Sequence, residues 1–350
     1  MRRKMSRTRR ALRWLGRGAL GGSLFIAVFV GVLVLIDRGE TYGCGDVAGA
    51  RTEMFTIPPT ARDLTGELDA LRTDGRIDPA KLNALLAPQA ERMAALNVLV
   101  VPGYLTDFLA LPGALGLSDY LDSQESALRP LARSVARIDL ETEASVAENA
   151  KAIARAVAAT DGPICLVSHS KGGDDTLHFL LQASAAEREK IACWITFQTP
   201  FAGSPIADLA ADYGVVREPA EFLLDAFGGE GRSLHDHRTD LAGCYLASHE
   251  SGIAEIAAAI PIVTVAGAID AEAAAGDRVT PYLPGLILMQ RQNIRSDGLV
   301  PTASAVLPHA RYVILSPLDH TGAVAKGGTA LPYAERERLT QALVALALRQ

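Results

Sequence analysis

Cysteine is scarce in this chain, four in 350 residues, too few for a disulfide scaffold to stand in for a core. Aromatic residues make up only 5%, so a carbohydrate groove lined with stacked rings is not indicated. The 31 Gly and 18 Pro follow no triplet period, which excludes a collagen-like chain. Charged residues are 21% against 49% hydrophobic. That much apolar surface offsets the entropy of ordering, so the chain is not disordered. Bases are the minority over most of the length. Eight of the 34 Lys and Arg fall in residues 1–22, where there is no acid, leaving 26 against all 40 Asp and Glu. Phosphate backbones are bound by clustered Lys and Arg, so nucleic acid is not an expected partner.

One long uncharged run exists, from Gly18 to Ile36, bracketed by Arg17 and Asp37. At helical rise its nineteen residues span about 28 Å, the thickness of a hydrocarbon core. The run predicts a transmembrane helix over 18–36, with residues 1–17 a basic segment kept in the cytoplasm and everything after Asp37 on the far side of the cell membrane. The competing reading is a cleaved signal peptide. Its best small-residue site, Ala48-Gly49-Ala50, lies far past the apolar run. In an exported body cysteines meet a disulfide-permissive compartment. Cys165 and Cys193 sit in apolar strand-like runs and are expected as buried packing, whereas Cys44 and Cys244 are a candidate pair.

Residues 37–95 read as a glycine-containing tether followed by two helical patterns. The second of these is capped by Asp78, with Pro79 at its first position. From Leu96 short apolar runs alternate with helix-length segments. The runs are Leu96–Val101, Val135–Leu140, Ile164–Ser168, Ile191–Phe197, Ile262–Gly267 and Tyr312–Leu315, and the segments include Val146–Ala159 and the closing Glu335–Leu348. This alternation predicts an α/β domain over 96–350, a mostly parallel sheet with helices on both faces. The stretch at about 201–260 carries no convincing strand and is expected to be a helical cap.

The sharpest local signal is PICLVSHSKGGDD, Pro163–Asp175. An apolar strand runs into a tight turn and then a helical pattern, the context of a nucleophile elbow. A serine hydroxyl needs exposure on such a turn, a base beside it and donors for an oxyanion. Small residues two before and two after Ser170 permit the bend. Gly172 fills one position, and Ser168 stands where G-x-S-x-G has Gly. A P-loop is not supported, since G-x-x-x-x-G-K-[ST] is incomplete and Asp174 and Asp175 would repel phosphate.

At these residues the chain resembles the α/β-hydrolase superfamily, in particular bacterial triacylglycerol lipases and related serine esterases. Five ordered pieces between about 96 and 325 carry the resemblance. They are Leu99–Tyr104 as strand and oxyanion loop, Ser168–Gly173 as the elbow, Thr199–Asp208 after the next strand, Ser296–Pro301 as the acid loop and Asp319–Gly322 as the histidine loop. In that fold the triad runs Ser, acid, His along the chain. Of the late histidines, His309 precedes the last strand and His320 follows it, at the carboxyl edge that also holds Ser170. Asp297, in the loop with the closer motif match, is the preferred acid, and Asp270, directly after the fifth run, is the alternative.

The resemblance implies a serine carboxylic-ester hydrolase working through an acyl-enzyme. Ser170 is the nucleophile, His320 the base and Asp297 its orienting acid, with the backbone N–H groups of Tyr104 and Lys171 as the oxyanion hole. No cofactor and no metal are expected, because His235, His237 and His249 do not make a convergent ligand set. The expected partners are an ester or lipid substrate and, through the N-terminal helix, the membrane. The alternatives are an acyltransferase using the same triad and a non-catalytic binding protein on a hydrolase fold.

Overall fold

The computed structural model describes residues 55–103, 119–141, 144–208, 235–270, 280, 282–327 and 329–349. The expected anchor at 18–36, Cys44 and Tyr104 lie outside the described residues. Among those described, no helix is long and apolar enough to cross a membrane.

The described residues form nine strands, in chain order β1 Arg62–Asp63, β2 Arg72–Thr73, β3 Arg76–Ile77, β4 Asn97–Val101, β5 Ser134–Arg137, β6 Ile164–His169, β7 Ile191–Phe197, β8 Ile262–Gly267 and β9 Arg311–Leu315. β2 and β3 pair as a small antiparallel ribbon. The other seven form one sheet in the order β1-β9-β8-β7-β6-β4-β5, and every pair in it is parallel. The six apolar runs of the sequence are six of these strands. The seventh, β1, is a two-residue exposed edge too short and too polar to carry a strand pattern.

Parallel strands need a crossover between them, and the crossover helices cover both faces. Alternate residues of each strand therefore enter different cores. Val98, Val100, Val167, Ile195, Val265 and Val313 face the core closed by Leu339–Leu348 of the final helix, Tyr333–Leu348. Leu99, Val101, Leu166, Trp194 and Ile262 face the core shared with the helices Val146–Ala158 and Lys171–Gln182. The first of these two helices starts at a reciprocal capping box between Ser145 and Glu148, which satisfies two amides that the helix leaves unpaired. Asp78 caps Pro79–Leu86 as its sequence position implied, accepting from the N–H groups of Ala80 and Lys81.

One expectation changes. Cys165 and Cys193 are not simply packed side chains. They face each other in the β6–β7 register and form a disulfide, because strand neighbours on one face bring the two sulfurs together. Of the stretch expected as a cap, the described part beyond His235 forms the helices Thr239–Ser248 and Glu250–Ala259. Ile253 and Ile256 of the second helix are buried in the core beside Lys171–Gln182. Residues 209–234 lie outside the described residues.

Candidate active site

The strand order places the site. β4 lies between β5 and β6, so the chain leaves β4 in one direction and returns on its other side. Parallel α/β sheets form their ligand crevice outside the carboxyl ends of strands at such a switch. Here β4 ends at Val101, ahead of Pro102-Gly103, and β6 ends at His169. The oxyanion loop and the elbow therefore share one rim.

Ser170 occupies the turn between β6 and the helix Lys171–Gln182 with φ +52° and ψ −133°. A residue with a side chain rarely adopts this backbone, and such strain persists only where the surroundings enforce it. The Ser170 N–H is held by the Phe197 carbonyl at 2.8 Å, and the Gly173 N–H returns to the Ser170 carbonyl at 2.9 Å. The turn also presses against the end of β4. A Cβ on Gly172 would stand 2.4 Å from the Pro102 oxygen and 2.6 Å from that of Val101. Only glycine fits there. Ser168, the departure from the usual elbow pattern, is buried and accepts a hydrogen bond from the Trp194 indole at 2.9 Å.

The distances bring Ser170, His320 and Asp297 into one hydrogen-bonded row. His320 Nε2 lies 3.0 Å from Ser170 Oγ, and His320 Nδ1 lies 3.0 Å from Asp297 Oδ2. Ser170 is half-buried, while His320 and Asp297 are buried. Asp297 Oδ1 accepts the N–H groups of Leu299 at 2.9 Å and Val300 at 2.7 Å. The alternative acid, Asp270, is exposed just beyond β8. Lys171 begins the elbow helix, so its N–H belongs to a helix terminus suited to a developing anion. Its side chain is buried instead against Asp175, with Nζ 2.9 and 3.0 Å from the two carboxylate oxygens. Burial pushes Asp175 up to about 6 despite that partner. Of the histidines weighed as metal ligands, His237 bonds Asp174 at 3.0 Å and His249 bonds the Tyr245 carbonyl at 2.9 Å.

Several participants were not foreseen. The His169 ring lies beside that of His320, with centroids 5.1 Å apart. Its Nε2 donates to the His320 carbonyl at 3.0 Å, and its Nδ1 accepts from the Tyr120 hydroxyl at 2.8 Å. That hydroxyl in turn accepts the Gly103 N–H at 2.8 Å. One imidazole thus ties the elbow, the histidine loop and the oxyanion loop together. Burial, aided by the neighbouring His320, lowers His169 to about 3, so it is neutral at any ordinary pH. Gln198 donates to Asp297 Oδ2 at 2.9 Å and to the Asp319 carbonyl at 2.7 Å. The Tyr282 ring meets that of His320 edge-on, with centroids 5.6 Å apart. Only His169 carried a signal, its place beside the nucleophile.

Comparison with known proteins agrees with this architecture. The lecithin:cholesterol acyltransferase family matches residues 137–224, which include the elbow. Among solved structures, the metagenomic carboxyl esterase MGS0156 is 20% identical with a TM-score of 0.56, over 73% of this chain and 76% of that one. The mature lipase BlEst2 from Bacillus licheniformis is 21% identical with a TM-score of 0.50, over 65% of this chain and 86% of that one. No curated protein matches. The fold is the α/β-hydrolase fold, as the sequence resemblance implied.

The depressed His169 has a consequence for acid stability. Between about pH 6.5 and pH 3 the unfolded chain takes up a proton at this residue and the native state does not. Its contribution is therefore complete above 6.5 and lost as the pH falls. In urea unfolding at pH 4–6, His169→Gln should flatten the decline of stability by about 1.4 kcal/mol per pH unit relative to the parent. An unchanged slope would contradict a neutral native His169.

Proposed function

We propose that this protein is a serine carboxylic-ester hydrolase of the lipase and esterase kind, acting through a covalent acyl-enzyme. The observation that carries the reading is the 3.0 Å spacing on both sides of His320, to Ser170 Oγ and to Asp297 Oδ2, on a strained elbow at the sheet's carboxyl rim. His320 takes the hydroxyl proton as Ser170 attacks the ester carbonyl. The tetrahedral oxyanion is met by the N–H of Lys171 and, from the sequence pattern, that of Tyr104. Collapse of this intermediate expels the alcohol, which receives the proton from His320. Water then repeats the sequence on the acyl-enzyme, releasing the acid and restoring Ser170. Asp297 holds the imidazole in the tautomer with Nδ1–H and stabilises the imidazolium. Ser170→Ala should lower the rate on short acyl esters by at least about 10³-fold, and a fluorophosphonate probe should label the parent and not the variant. Full activity in Ser170→Ala, or a parent chain that resists the probe, would remove the enzyme reading in favour of a binding protein.

A second reading keeps the acyl-enzyme but passes the acyl group to an alcohol other than water. The match of residues 137–224 to the acyltransferase family favours it. Added long-chain or sterol alcohols should then yield new esters by product analysis, and release of free acid alone under every acceptor tested would exclude it.

The apolar run 18–36 and its basic flank support placement at the cell membrane, with the amino terminus cytoplasmic and residues after Asp37 outside. The lipase-like reading adds an apolar ester as the substrate class. Protease added to intact cells should then digest the domain while sparing the amino terminus. Recovery of the full-length chain in the soluble fraction would reject the anchor.

A further inference from the structure

We propose that Gln198 is a positioning residue, its single amide nitrogen holding the acid and the histidine loop in a fixed relation to each other. The inference rests on the reading of Ser170, His320 and Asp297 as a triad.

Gln198 follows directly on β7. It is fully buried, and its backbone stands at φ +52°, a conformation that costs a side-chain-bearing residue energy and so implies a purpose in this place. The backbone N–H stays in the sheet, donating to the Val265 carbonyl at 2.7 Å, while the side chain turns into the site. A primary amide has two hydrogens on nitrogen. One goes to Asp297 Oδ2 at 2.9 Å and the other to the Asp319 carbonyl at 2.7 Å, the residue before His320. The reverse amide orientation would face oxygen against two acceptors, so the partners fix the nitrogen's place. Among the described residues Gln198 Oε1 is left buried without a partner, a cost the site bears for the other end of the group.

The geometry divides the labour on Asp297. Oδ1 is held by the N–H groups of Leu299 and Val300, on the acid's own loop. Oδ2, the oxygen that faces His320, also takes Gln198, a donor from a different strand. An uncharged donor orients the carboxylate without cancelling the negative charge that the imidazolium needs. Room for it comes from Gly267 at the end of β8, where a Cβ would stand 2.6 Å from Gln198 Nε2 and 2.8 Å from the Asp297 Cβ. Among the described residues, the ionisable groups around His320 are Asp297, Asp319 on its own loop, His169 on the elbow and Tyr282 across the ring edge.

The test uses the full chain and Gln198→Met, which keeps length and volume and removes both N–H groups. The first readout is the low-field proton resonance of the His320–Asp297 hydrogen bond, which needs no substrate. In the variant it should broaden through faster exchange, and its titration should move to higher pH. A carboxylate relieved of a competing donor draws the imidazolium proton more strongly, which sets that sign. The second readout is turnover of a short acyl ester. kcat should fall about tenfold with KM within about twofold, and the acidic limb of the rate profile should move the same way. A resonance matching the parent in width and titration would overturn the proposal, as would a loss confined to KM. Should the parent turn over no ester, the functional reading fails while the resonance still decides this one. If Gln198→Met does not fold, Gln198→Asn replaces it. One methylene shorter, it cannot reach both acceptors, so the same displacement is expected and parent-like behaviour again overturns the assignment.

Discussion

A negative charge taken out of water must be met by donors or it takes up a proton, and Asp297 is almost completely buried. Four hydrogen bonds meet it: two backbone amides on Oδ1, and Gln198 and His320 on Oδ2. No other feature of the site makes sense without this satisfied charge. It holds His320 on the side opposite Ser170, and in the proposed mechanism it would stabilise a proton on that imidazole. The loops that carry these groups are long and come from different strands, so the sheet's carboxyl rim serves as the common frame.

The frame is reinforced by neutral contacts rather than by further charge. His169, kept uncharged by burial, links the rim's loops through Tyr120 and the His320 carbonyl. A cation there would oppose the imidazolium of the proposed mechanism, so an uncharged bridge suits that reading. The real cation nearby, Lys171, is diverted into an ion pair with Asp175. Its side chain is thereby kept from competing with the backbone amide at the helix start.

The parts legible in the sequence were those written by local rules. Strand runs such as Ile191–Phe197 and Ile262–Gly267 stand at their expected bounds, because buried parallel strands are apolar on both faces. Ser170 was visible through the strand–turn–helix context, His320 through chain order, and Asp297 over Asp270 only through the motif resemblance of its loop. What stayed hidden depends on tertiary neighbours. Gln198 looks like any polar residue after a strand, and only the meeting of three loops gives it two acceptors. The Cys165–Cys193 bond required the strand order, since nothing in a 28-residue separation says that the two strands are adjacent. The edge strand β1 is too short for any periodicity to declare it.

That bond also closes a covalent ring in the chain. The ring runs from the start of β6, through Ser170 and the helix that follows it, to the neighbouring strand. A peptide bond cut anywhere between positions 165 and 193 would leave both pieces joined through sulfur. Continuity of the polypeptide and retention of the serine on its strand are therefore separate matters in this molecule, and a full-sized band on an unreduced gel does not by itself report an uncut backbone.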